Sequence, residues 1–97
     1  MSQERAEPHY VLRLYITGST TRSTRAIENL RRICEQHLPG RYDIEIIDIY
    51  TDPEAARDGQ VIAAPTLVRI EPEPPRRIIG DLADEDRVVL GLELPRA

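Results

Sequence analysis

The hydrophobic pattern changes period several times along the chain, and each change marks an element. Residues 10 to 17, Tyr-Val-Leu-Arg-Leu-Tyr-Ile-Thr, are almost continuously apolar and rich in β-branched and aromatic types, the composition of an internal strand covered on both faces. Gly18 breaks it. The polar run Ser19 to Ser23 leads into a stretch whose apolar positions Ile27, Leu30, Cys34 and Leu38 recur at three-to-four spacing, which predicts an amphipathic helix ended by Pro39-Gly40. From Tyr42 to Tyr50 the period shortens to two, with Tyr42, Ile44 and Ile46 alternating with Asp43, Glu45 and Ile47, so a second strand with one partly exposed side is expected. Asp52-Pro53-Glu54-Ala55 then starts a short helix: Asp52 can cap free amides, Pro53 suits the first turn, Glu54 lies at the positive dipole end, and Gly59 stops it.

The third apolar segment, Val61 to Ile70, is interrupted by Pro65, so either its strand begins at Thr66 or the proline occupies a special turn. Glu71-Pro72-Glu73-Pro74-Pro75 lacks the amides of a regular ladder and reads as a turn or extended connector, followed by a short strand from Arg76 to Ile79 that ends at Gly80. Asp81 and Asp84 to Asp86 can cap and charge the start of a last helix carrying Val88, Val89 and Leu92, whereas Leu90, Leu92 and Leu94 fit the strand period equally well. The order β-α-β-α-β-β-α is an α/β arrangement with a right-handed parallel crossover followed by an antiparallel hairpin, a thioredoxin-like layout. In that layout a proline opening the third strand is often cis, so a cis Ala64–Pro65 bond is expected.

Composition narrows the picture. Ninety-seven residues without Phe or Trp make one aliphatic-core domain, expected over residues 9–95 behind a flexible segment 1–8. Seventeen acids against thirteen bases, all of them arginine, argue against a general nucleic-acid or anionic-membrane binder. No apolar run approaches the ~20 residues of a membrane span, and the polar start Met1 to Pro8 carries no signal-peptide core, so a cytoplasmic location is expected.

Reactive constellations are sought next. Where a redox thioredoxin needs two cysteines, the loop reads Ser19-Thr20-Thr21-Arg22-Ser23, residues suited to helix capping. The lone Cys34 lies on the apolar stripe and reads as a small filler; a degenerate thiol enzyme would need it reactive. His9 and His37 have no partner at metal-ligand spacing, the acids Asp81, Asp84, Glu85 and Asp86 are explained by dipole and solvation, and the five glycines stand too far apart for a phosphate loop. No catalytic, cofactor-binding or metal-binding residue is therefore assigned, which points to a binding protein. In a strand, Arg76 and Arg77 point to opposite faces, as a solvated edge with a local ion pair or as an anchor for a partner's carboxylates.

Four runs carry a likeness: Tyr10 to Gly18, Ala64-Pro65-Thr66-Leu67, Arg76-Arg77-Ile78-Ile79-Gly80-Asp81-Leu82, and Val89-Leu90-Gly91-Leu92-Glu93-Leu94. In order and with little gapping from about Tyr10 to Leu94, the chain resembles the KaiB family of circadian clock proteins. The resemblance implies a non-enzymatic regulator that binds the N-terminal ATPase ring of the KaiC hexamer, promotes its dephosphorylation phase and helps sequester KaiA where that protein is present. It also implies two arrangements, a dimeric or tetrameric ground state ordered β-α-β-β-α-α-β and a monomeric thioredoxin-like state competent to bind.

Carried over by position, the resemblance makes Gln60, Arg76 and Arg77 partner contacts, Gln60 standing where the family has Lys. Tyr10, Pro65, Pro74, Pro75, Gly91 and Glu93 fall where it sets the balance of folds, Glu93 standing in place of Asp. The resemblance also leads one to expect a longer acidic tail, as many members have, beyond Ala97. A second reading is the thioredoxin-like sensor domain of a clock histidine kinase, distinguished by whatever follows residue 97.

Overall fold

The computed structural model describes residues 8–61 and 63–96, so the expected flexible segment 1–8 lies almost wholly outside the described residues. β1 (Tyr10–Ile16) sits in the middle of a four-stranded sheet, parallel to β2 (Tyr42–Asp48) and antiparallel to β3 (Thr66–Glu71). β4 (Arg76–Ile79) pairs antiparallel with β3, which gives the order β2-β1-β3-β4. With α1 (Thr21–His37), α2 (Pro53–Asp58) and α3 (Glu85–Leu92), the observed order is the expected β-α-β-α-β-β-α. A register shift between Val11 and Leu12, opposite Glu71 and Arg69, bulges β3 at Ile70.

The period-two pattern assigns the faces. Leu12, Leu14 and Ile16 of β1 share one side of the sheet with Leu67 and Ile78, and there they meet Leu30, Ile33 and Cys34 of α1 and Val88, Val89 and Leu92 of α3 in one buried cluster. Leu12, Leu14, Ile33, Leu67 and Leu92 are wholly buried, each contributing about 1.5–3 kcal/mol by its removal from water. Tyr15 points to the opposite side, which α2 covers.

Side chains set most boundaries. Thr20 caps α1 by accepting from the Ser23 amide at 3.2 Å, and the buried Ser23 hydroxyl accepts from Thr17 N at 3.1 Å. Strand β2 stops at Asp48 rather than Tyr50 because Asp48 Oδ1 accepts from the amides of Gly18 and Tyr50 at 3.2 and 2.9 Å, curling the chain there. Asp52 caps α2 by accepting from Ala55 N, and Asp84 caps α3 by accepting from Arg87 N, both at 3.2 Å.

The segment with two possible periods is helical as far as Leu92. Glu93 then turns into the left-handed region at φ 57°, its amide donating to Leu90 O and that of Leu94 to Val89 O. That turn buries Leu94 beside Leu92 and leaves Leu90 65% exposed. Gln60 and Leu82, at φ 57° and 66°, are the other non-glycine residues in this region among those described, alongside Gly18, Gly40 and Gly80. Ala64–Pro65 is cis as expected, and so are Glu71–Pro72 and Glu73–Pro74. No helix among the described residues is long and apolar enough to cross a membrane.

Candidate partner-binding surface

The end of α2 is held from two sides. Gly59 packs against Tyr15, whose hydroxyl and ring would collide with any Cβ placed there. From β4, the Arg77 guanidinium donates to the carbonyl oxygens of Gly59 at 2.8 Å and Gln60 at 3.1 Å. Gln60 is thereby fixed in its left-handed conformation with its side chain exposed. Two of the three expected contact residues, Gln60 and Arg77, are therefore brought together on the α2 side of the sheet. Arg77 makes no ion pair among the described residues, so its charge is positioned by carbonyl dipoles and left without a carboxylate. Ile79, on the same side of β4, is 45% exposed.

Arg76 falls on the opposite side, as strand geometry requires, and its Nη2 lies 3.3 Å from Glu93 Oε2. This is the local ion pair anticipated for one member of the Arg-Arg run, half-exposed and worth little in stability. Around it gather three of the residues expected to balance two folds. Glu93 also approaches Arg69 at 3.9 Å, Pro74 offers its carbonyl to Arg69, and a Cβ on Gly91 would come within 2.5 Å of Ile78 Cδ1. Tyr10 lies apart at the start of β1, buried, with its amide donating to Arg41 O at 2.8 Å; Pro65 is buried at the head of β3, and Pro75 is exposed.

Two pins on α3 escaped the sequence reading. Arg69 is 3% exposed in the interior of β3; its one sequence signal is a charge inside an otherwise apolar strand. His37, at the end of α1, approaches Glu85 Oε2 at 2.8 Å through Nε2 and Pro95 O at 3.0 Å through Nδ1, tying α1 to the start of α3 and to the chain beyond it. Nothing local in sequence joins His37 to a residue 48 positions away.

Chemistry of the thioredoxin type has no thiol to use at the start of α1. Cys34 is wholly buried in the core toward the other end of that helix, and burial, helped by the nearby Glu35 charge, pushes its thiol up to about 12. Cys34 is accordingly expected to stay silent toward a chromogenic disulfide reagent in the native protein and to react stoichiometrically once the protein is denatured; rapid native labelling would reinstate thiol chemistry. Among the described residues no group of three His, Cys, Asp or Glu side chains comes together to hold a metal ion.

A second exposed feature borders the edge strand β2, where Arg31, Glu35, Tyr42, Ile44 and Ile46 line a groove of about 420 Å³. The Tyr42 hydroxyl donates to Glu35, a bond that raises the phenol to about 12.

Comparison with known proteins bears on the family and the fold. A family model described as the KaiB domain matches residues 13–94. The circadian clock oscillator protein KaiB of Nostoc punctiforme is 44% identical over 90 residues, covering 93% of this chain and 86% of that one. The protein of the same description from Prochlorococcus marinus is 46% identical over 85 residues, covering 88% and 71%. Among solved structures, the N-terminal domain of Synechococcus elongatus SasA superposes with a TM-score of 0.71 at 16% identity, covering 96% of this chain and 91% of that one. Mitochondrial thioredoxin 3 of Saccharomyces cerevisiae gives 0.70 at 15%, covering 90% and 79%. At such identities these two establish the thioredoxin-like fold alone.

Proposed function

Because the chain belongs to the KaiB family, we propose that it is a non-enzymatic, cytoplasmic clock regulator that docks on a KaiC-like hexameric ATPase ring and favours its dephosphorylation phase. The observation that carries the reading is the fixed, unpaired guanidinium of Arg77 beside the exposed Gln60. A positioned cation with an open face and an exposed Ile79 next to it is suited to a carboxylate on a partner, with apolar contact around the charge. Arg76 completes the candidate contacts from the other side of β4, where a partner has to compete with Glu93.

The same reading takes Tyr10, Pro65, Pro74, Pro75, Gly91 and Glu93 as the residues that balance the thioredoxin-like arrangement against a dimeric or tetrameric ground state ordered β-α-β-β-α-α-β. Two such packings need differ by only a few kcal/mol. In this reading KaiA, where the host has it, is a further partner. A sensor domain of a clock histidine kinase would share the architecture, and the likeness to the SasA domain speaks to architecture only.

Size-exclusion chromatography of the chain with a KaiC-like hexamer and ATP, after incubation long enough for slow rearrangement, tests the proposal. Co-elution that depends on nucleotide is expected; a folded chain that never shifts to the hexamer peak would overturn it.

A further inference from the structure

Arg69 is a cation in the interior of the central pair of strands. It stands on β3 opposite Leu12 of β1 and Arg76 of β4, on the sheet side that α1 and α3 cover, and is 3% exposed. Its Nη1 donates to the carbonyl of Leu92, the last residue of α3, at 2.7 Å, and its Nη2 to the carbonyl of Pro74 at 2.6 Å. Nε has no partner, and the nearest carboxylate, the exposed Glu93, is 3.9 Å away. The guanidinium is thus held chiefly by two backbone carbonyls from segments 18 residues apart. One is the negative end of a helix, where a cation is favourable. The other belongs to a connector whose three prolines have no amide with which to tie themselves down.

We infer that Arg69 is a positioning residue that bolts both the last turn of α3 and the 72–75 connector to β3, so that the two segments loosen together when its fork is lost. The bolt decides how Arg76 and Glu93 are presented, since one begins the strand after the connector and the other caps the helix. It requires neither a second fold nor a particular partner. An ammonium in place of the guanidinium keeps the charge but cannot bridge both carbonyls.

Amide hydrogen exchange on the full chain, followed by NMR for wild type, Arg69→Lys and Arg69→Met, tests the inference. In Arg69→Met the amides of Glu93 and Leu94, which close the helix end, are expected to exchange faster by about tenfold or more and the heteronuclear NOE of the Glu73 amide in the connector to fall, while the amides of α1 and the β1–β2 ladder keep wild-type exchange rates. Arg69→Lys is expected to fall between, with one segment recovering more than the other. Unchanged protection at Glu93 and Leu94, or acceleration spread evenly into α1, would overturn it. If Arg69→Met does not fold, the same pattern is read from Arg69→Lys alone, and an even or absent change there is equally fatal.

Discussion

Arg77→Glu is expected to abolish co-elution with a KaiC-like hexamer, weakening the complex about a hundredfold or more, or roughly 2.7 kcal/mol. The size follows from what the side chain does. It supplies an uncompensated positive charge, and its fork holds the carbonyls of Gly59 and Gln60; a carboxylate there reverses the first and repels the second. Arg76→Glu is expected to weaken the complex less, because Arg76 already shares its charge with Glu93 and has less of it to offer a partner. A titration by surface plasmon resonance orders the three proteins, and wild-type affinity in Arg77→Glu would remove this face from the binding surface.

Leu67→Ala is expected to lower the unfolding free energy by about 2–5 kcal/mol, a large part of the roughly 5–15 kcal/mol that holds a domain of this size together. Leu67 is wholly buried in β3, flanked by Leu14 on one side and Ile78 on the other, so the side chain lost leaves a space that the two neighbouring strands cannot easily close. Leu90→Ala, on the outer side of α3 with Leu90 65% exposed, should cost no more than about 0.5 kcal/mol. Urea denaturation of both variants checks the contrast; equal losses would place the apolar centre of the molecule elsewhere.

The strands and helices were readable because their signals are local. The near-continuous apolar run of β1, the alternation of β2, the α1 stripe and the caps at Asp52 and Asp84 all lie within single segments, and local patterns suffice to place them. The double period over Val88 to Leu94 has a physical source: the helix ends at Leu92 and the left-handed turn at Glu93 returns Leu94 to the interior, so apolar residues two apart are both buried without a strand. The opposite facings of Arg76 and Arg77 followed from strand geometry. What each finds did not, because Gln60, Gly59 and Glu93 reach them only through the fold. Arg69 and His37 were missed for the same reason, as both act on carbonyls and carboxylates far along the chain.

The left-handed residues divide the molecule unevenly. Up to Gly59, positive φ among the described residues occurs at Gly18 and Gly40, where it is almost free; beyond it, Gln60, Leu82 and Glu93 each hold a side chain in that region at a cost on the order of 1–2 kcal/mol. The cost of left-handed backbone at residues with side chains is therefore concentrated past α2, where neighbouring contacts must hold it: the trailing portion stands like a spring kept wound.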